Sequence, residues 1–127
     1  MSNRGLVNDV AIVGVGGAGT NIAFCLEKLC YTTIHINSST QDESAIKGAK
    51  NIRHLKGFNG CAGNRALAEK ALAENMDIVD EISALEESIV YVIFSSAGGT
   101  GSGVSTALID MLVEETDKTI CAIVVLP

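Results

Sequence analysis

The chain has 127 residues, 47% of them hydrophobic but only 4% aromatic, and a net charge of −6 from nine Lys plus Arg against fifteen Asp plus Glu. That length bounds it to one domain, residues 1–127, with a core of Ile, Val, Leu and Ala that buries about two-thirds of the unfolded surface. The acidic balance excludes a general grip on nucleic-acid phosphates or on an anionic membrane surface.

The first nine residues carry no apolar stretch of the signal-peptide kind, and no apolar run is long enough to span a bilayer. Cysteines stand at 25, 30, 61 and 121, with no CxxC pair and with neither His35 nor His54 beside a second ligand type. We expect reduced thiols that pack as small hydrophobes in a cytoplasmic protein, and no metal site.

Along the chain, VAIVGV at 10–15 is a β-branched run that ends in glycines and reads as a buried strand. Residues 20–30 place Ile22, Leu26, Leu29 and Cys30 on one helical face. TTIHIN at 32–37 is a second strand, 39–50 a short helix or turn, and NIRHL at 51–55 a weak third strand. After a glycine patch at 57–64, one long helix is expected, with Leu72, Met76, Val79, Ile82 and Leu85 facing inward and Glu69, Lys70, Asp77, Asp80 and Glu81 between them. SIVYVIF at 88–94 is a strand. Val104, Ala107, Leu108, Met111 and Leu112 mark a helix, and TICAIVVLP at 119–127 is a fifth strand.

Strands alternating with helices predict an α/β fold: a Rossmann-like three-layer sandwich of five mostly parallel strands, order 3-2-1-4-5, with helices on both faces. The only proline is Pro127, and no linker or repeat interrupts the pattern. The apolar fifth strand has no helix after it, so we expect the start of a longer domain and an edge that another chain pairs with or covers.

Two glycine-rich segments carry the chemistry. Each follows a strand and opens a helix, where backbone N–H groups and the helix end favour an anion, phosphate above all. In the first, GVGGAGTN at 14–21, Gly14, Gly16 and Gly19 match the dinucleotide fingerprint GxGxxG. That fingerprint needs an acid at the end of the second strand to hold a ribose. The position is Asn37, and the nearest acid, Asp42, lies beyond it. The second, AGGTGSG at 97–103, frees the backbone with Gly98, Gly99, Gly101 and Gly103 and adds the hydroxyls of Thr100 and Ser102. No lysine follows, so it is not a Walker-type phosphate loop. Both segments are expected at the C-terminal ends of neighbouring strands, facing one crevice.

AGGTGSG resembles, at every position, the signature of the tubulin and FtsZ superfamily. GVGGAGTN is similar to that family's first phosphate loop, and GCAGNRALAEKALAE at 60–74 to its third loop and following helix. NSSTQD at 37–42 and the terminal VVLP resemble the plasmid and phage, TubZ-type, branch. The resemblance implies GTP or GDP binding, with Mg2+ held through phosphates and water. By position, Gly16, Gly17, Ala18, Asn21 and Asn37 would touch the nucleotide, Gly60, Cys61, Gly63 and Asn64 would sense the γ-phosphate, and Gly98, Gly99, Thr100, Gly101 and Ser102 would cradle the phosphates. It also implies head-to-tail assembly, with an acidic loop of the next subunit positioning the attacking water.

Two positions depart from the pattern. Ser39 stands where FtsZ often has an acid, and Arg65 where it often has proline. The sixth strand, central helix and acidic loop of the family are not among the matched motifs, so no catalytic residue is assigned here, and the chain alone is expected to bind GTP but hydrolyse it poorly. The leading expectation is a cytoplasmic, filament-forming GTPase of a bacterial or phage-infected cell that segregates or positions plasmid or phage DNA. DNA would be held through an adaptor protein rather than directly. Two other readings stay open: a Rossmann-type dinucleotide module, and a short non-catalytic regulator of a longer homologue's filaments.

Overall fold

A computed structural model describes residues 9–37, 48–54, 65–96 and 99–126. Its elements are β1 (Val10–Val15), α1 (Gly16–Glu27), β2 (Thr32–Asn37), β3 (Ile52–His54), α2 (Arg65–Ala73), α3 (Met76–Ser83), β4 (Ile89–Ser95), α4 (Gly99–Glu115) and β5 (Thr119–Val125). The five strands form one sheet in the order β3-β2-β1-β4-β5, and all four pairings are parallel. This is the expected fold, with the third strand trimmed to three residues. Of the segment 39–50, read as a short helix or turn, residues 39–47 lie outside the described residues, and 48–50 form a turn and bend.

Alternation along the strands divides the core between two faces. On one face Ala11, Val13, Val15, Ile34, Ile36, Val90, Val92 and Phe94 meet Leu72, Ile78, Val79, Ile82, Val104, Leu108 and Leu112 of α2, α3 and α4. On the other, Val10, Ile12 and Ile93 pack with Ala23 of α1. The sheet therefore lies between α1 and a layer of three helices.

The sequence pattern suggested one long helix through 65–85, but Glu74 and Asn75 interrupt it with a turn. Asn75 is buried, with φ −127° and ψ 39°, outside helical geometry. The break lets α3 bury Ile78, Val79 and Ile82 while α2 buries Leu72.

The larger correction concerns α1. Of its expected apolar face only Leu26 packs inward, half-buried against Val10, Ile12, Ala23 and Ile93. Ile22 and Leu29 are 38% and 63% exposed, and Leu29 and Cys30 lie beyond the helix end. The buried face is Gly16, Gly19, Thr20 and Ala23. A Cβ on Gly19 would fall on the carbonyl oxygen of Ile93 in β4, and one on Gly14 would come within 2.7 Å of both the Ala23 Cβ and the Gly19 oxygen. Helix and sheet backbones approach so closely that only small residues fit directly between them, while Phe24 and Leu26 pack half-buried at the margin and Ile22 is exposed. Cys25 and Cys30 are exposed and Cys121 half-buried, so the expectation that the cysteines pack as core hydrophobes fails for the first two. Cys61 lies outside the described residues.

The end of α1 has a recognisable chemistry. The Tyr31 N–H donates to the Leu26 carbonyl at 3.4 Å, and the Cys30 N–H to that of Glu27 at 3.0 Å. This is the paired bonding of a Schellman cap, whose left-handed residue is usually glycine. Here it is Cys30, at φ 75°. Cys30→Gly is expected to raise stability by about 1 kcal/mol, the left-handed strain relieved, as read by denaturant unfolding.

At the β3 edge, Arg53 donates through Nε and Nη2 to the two carboxylate oxygens of Glu81 on α3, at 2.7 and 2.6 Å. The hydrogen bond from Arg53 holds the Glu81 carboxyl below its ordinary 4.5, against the opposing effect of desolvation. A depressed carboxyl stabilises the fold above its unfolded value and loses that contribution as pH falls through the folded one. Both side chains are about a third exposed, which limits the pair to about 1 kcal/mol. Glu81→Gln should therefore cost up to about that much at pH 7 and progressively less below pH 4.5, as read by denaturant midpoints across pH.

At the opposite edge, β5 leaves Ile123 and Val124 exposed at 40% and 44%, and Leu126 after it at 76%. A groove of about 280 Å³ beside it, on the α1 face, is lined by Val10, Ile12, Leu26, Tyr31, Tyr91 and Ile123. The fifth strand is thus an apolar edge, as its composition suggested. Among the described residues, no helix is long and apolar enough to cross a membrane.

Candidate functional site

The register places three strand ends side by side. Val15 pairs with Ile36, and Gly14 with Ile93, so the C-terminal ends of β1, β2 and β4 are level, with about 4.8 Å between neighbouring strands. From β1 the chain turns through Gly16 into α1 on one face, and α4 follows β4 on the other face. Between β1 and β4 the strand order reverses, which is where open α/β sheets leave a crevice. The starts of α1 and α4 therefore follow neighbouring strands at the same end of the sheet, on its opposite faces.

Where the composition of the two glycine-rich segments suggested loops, the described part of each is largely helical. Gly14 belongs to β1, Gly16–Asn21 to the first turns of α1, and Gly99–Gly103 to the first turns of α4. Their glycines divide by role. Gly16, at φ 76°, makes the strand-to-helix turn in a conformation that side chains rarely adopt. Gly14 and Gly19 serve the close packing of α1 on the sheet. The sequence match to GxGxxG thus mixes a turn residue with two packing residues.

The N-terminus of α1 is chemically incomplete. Val15 is its N-cap and supplies no side-chain cap, and no acid lies in the first turn. The first N–H groups of a helix have no acceptor within the helix, and they carry partial positive charge. Gly16 is buried, Gly17 half-buried, and Ala18 and Asn21 exposed, so this end is open on one side. Thr20, which sequence reasoning passed over, is buried and donates its hydroxyl back to the carbonyls of Gly16 at 2.8 Å and Gly17 at 3.2 Å. It braces the turn from within. The first turn of α4 likewise holds no acid.

Asn37 closes the third side. It is the last residue of β2, fully buried, and neither its Oδ1 nor its Nδ2 has a hydrogen-bond partner among the described residues. A buried carboxamide with both ends unsatisfied is costly, on the order of 1–3 kcal/mol for each group. At the mouth of a crevice it fits a polar ligand that supplies the missing partners. An uncapped helix N-terminus and an unsatisfied carboxamide at one sheet end suit an anionic ligand with polar groups, and a nucleotide has both. Of the other sequence candidates, Gly60, Cys61, Gly63, Asn64 and Gly98 lie outside the described residues. Gly99, Thr100, Gly101 and Ser102 are placed by backbone at the start of α4.

Comparison with known proteins then decides the lineage. The Tubulin/FtsZ family, GTPase domain, matches residues 9–127. The chain belongs to the Tubulin/FtsZ family. Its relatives in that family include the Tubulin-like protein TubZ of Clostridium botulinum C phage, 31% identical over 109 residues, which cover 82% of this chain and 30% of TubZ. The Tubulin-like protein CetZ of Thermococcus kodakarensis is 30% identical over 128 residues, covering 91% of this chain and 34% of CetZ. The solved structure of Clostridium botulinum phage c-st TubZ superposes with a TM-score of 0.81 at 27% identity, over 96% of this chain and 42% of that one. A GTPγS-form protofilament of Bacillus thuringiensis serovar israelensis TubZ shares the fold, at a TM-score of 0.77 and 16% identity, over 95% of this chain and 38% of that one. This chain spans about a third of the length of the curated relatives it matches. TubZ and CetZ lie at nearly equal identity from it, so the Tubulin/FtsZ assignment is to the GTPase domain shared by both.

Proposed function

We propose that this Tubulin/FtsZ GTPase domain binds GTP and GDP at the C-terminal ends of β1, β2 and β4, and works in a self-assembling, cytomotive filament. The observation that carries the reading is Asn37, whose buried carboxamide lacks partners beside an uncapped helix N-terminus. In this reading the N–H groups of Gly16, Gly17 and Ala18 and the side chain of Asn21 hold the nucleotide from α1. Gly98, Gly99, Thr100, Gly101 and Ser102 cradle the phosphates at the start of α4. Gly60, Cys61, Gly63 and Asn64 approach the γ-phosphate. A magnesium ion would neutralise the phosphates and be held through them and water rather than by a protein cluster. When bound, the ion supplies charge stabilisation; this chain's residues orient the triphosphate and exclude water from one side of it.

Assembly is proposed as head to tail, with the hydrolytic acid coming from the neighbouring subunit. A role in segregating or positioning plasmid or phage DNA, through an adaptor protein and in the cytoplasm, is part of the proposal; the likeness to a tubulin-like protein of a phage is what favours a phage or plasmid setting. The absence of an acid at the end of β2, where Asn37 stands, weighs against a dinucleotide module.

Isothermal titration with GTP, GDP and NAD tests the reading. Saturable binding of both guanine nucleotides, with no heat from NAD, is expected; binding of NAD without GTP would reverse it. In the same samples, phosphate release by the 127-residue chain alone should stay at background.

A further inference from the structure

Beneath Asn37, on the same face of β2, sits a second buried polar group that the proposed function does not use. His35 is fully buried in the strand. Its Nε2 lies 3.0 Å from Oε1 of Glu27, the last residue of α1. A carboxylate has no proton to give, so Nε2 donates. The same Glu27 oxygen accepts the backbone N–H of Lys50 at 3.3 Å. The segment leading into β3 is tied in as well: the His35 backbone N–H donates to the Asn51 carbonyl at 2.8 Å, and Asn51 Nδ2 donates to the Thr33 carbonyl at 3.0 Å. The imidazole also meets the Phe24 ring edge-on, at 6.3 Å between centroids, and the Lys28 ammonium lies 4.5 Å from the centre of that ring. The strand neighbours of His35, Gly14 on β1 and Ile52 on β3, bring no charge.

This arrangement joins two walls of the candidate nucleotide pocket. One wall is α1, whose N-terminus faces the crevice and whose C-terminal residue is Glu27. The other is the end of β2, which carries Asn37. Residues i and i+2 of a strand share a face, about 6.5 Å apart. Among the described residues the Asn37 side chain has no hydrogen-bond partner, so its carboxamide goes where the strand end puts it. Thr33, the other polar residue on this face of β2, spends its hydroxyl on the nearby Tyr31 carbonyl. His35 is therefore the side chain that ties this face of β2 to α1 by a hydrogen bond.

We propose that His35 is a positioning residue for nucleotide binding: its Nε2–H bond to Glu27 sets the end of β2 against α1 and so aims the Asn37 carboxamide into the pocket. This rests on the nucleotide-binding reading for its consequence, but not for its geometry. The two are therefore tested by separate measurements.

The first measurement follows the Asn37 side-chain NH2 resonances by 15N NMR, without nucleotide. His35→Leu keeps the burial and removes the donor. His35→Gln restores an amide donor close to the former Nε2. Glu27→Leu removes the acceptor from the helix end and serves if the core substitution unfolds the chain. We expect His35→Leu and Glu27→Leu to shift or broaden the Asn37 signals, the double variant to add nothing further, and His35→Gln to return them to the wild-type position. The second measurement titrates GTPγS. Affinity should fall about five- to tenfold in His35→Leu and in Glu27→Leu, by no more in the double variant, and by less than twofold in His35→Gln.

Unmoved Asn37 signals, or a His35→Gln variant as impaired as His35→Leu, would overturn the proposal. So would losses in the double variant that multiply, because two groups acting through one bond cannot be independent. Asn37 signals that move as expected in the variants, together with a wild-type chain that fails to bind GTPγS, would uphold the positioning role and sink the nucleotide reading instead.

Discussion

Gly19→Ala is expected to be the most damaging single methyl that can be added to the described part of this chain. The new Cβ would be driven into the carbonyl oxygen of Ile93, a backbone atom at the centre of β4 that has no rotamer by which to retreat. The helix must lift instead, and in lifting it opens the packing of Ala23 against Val10, Ile12 and Ile93. Overpacking of this kind costs about 3 kcal/mol, and for a domain of this size that lowers Tm by about 10 °C. The same movement displaces the N-terminus of α1, so nucleotide binding should be lost along with stability. Gly48→Ala is the control. Its Cβ would meet nothing within 4 Å and carries only the strain of φ +98°, about 1 kcal/mol. A calorimetric melt of the two variants checks this: equal Tm losses would mean that α1 does not need its small-residue face.

The second large effect has opposite signs in its two readouts. Asn37→Leu replaces a buried carboxamide lacking any partner with an apolar side chain of nearly the same shape. In the ligand-free chain this removes two unsatisfied groups, and stability should rise by about 1–2 kcal/mol. If the carboxamide is kept for a nucleotide, the affinity for GTP should fall at least about tenfold, a loss of about 1.4 kcal/mol. Binding sites commonly hold groups that are unfavourable without their ligand, and the trade of stability for function is the expected signature. Thermal melts and GTP titrations on the same preparation decide it. A variant that melts lower and binds as before would show Asn37 to be a structural residue.

These two residues also show where reasoning from the sequence succeeds and where it stops. Asn37 was identifiable because its position follows from strand length alone: TTIHIN ends where the β-branched pattern ends, and a polar residue there sits at a strand terminus. Gly19 was visible only as one glycine of a fingerprint, and its assigned purpose was to bring backbone near a phosphate. Its actual neighbour is a β4 carbonyl, seventy-odd residues away in the chain, which no local pattern reveals. Thr20 and His35 were missed for the same reason. The first gave no signal beyond a hydroxyl within a glycine run. The second stood in a strand where burial was expected, but its acceptor, Glu27, belongs to a helix whose buried face, Gly16, Gly19, Thr20 and Ala23, was not the one expected.

That change of buried face in α1 marks the general boundary. Strand order, parallel pairing, the crevice at the reversal between β1 and β4 and the family resemblance all follow from patterns of a few residues: β-branched runs, helical spacing and glycines after strands. Such patterns are local, because backbone sterics and side-chain periodicity act within one or two turns. The break between α2 and α3 was decided by the turn at Asn75, the joining of His35 to Glu27 by α1 packing back against β2, and the orientation of α1 by how closely two backbones could approach. That distance is a property of surfaces meeting across the sheet, and it overrode the apolar stripe of α1 because small residues at 16, 19, 20 and 23 allowed a closer contact than Ile22 and Leu29 would have.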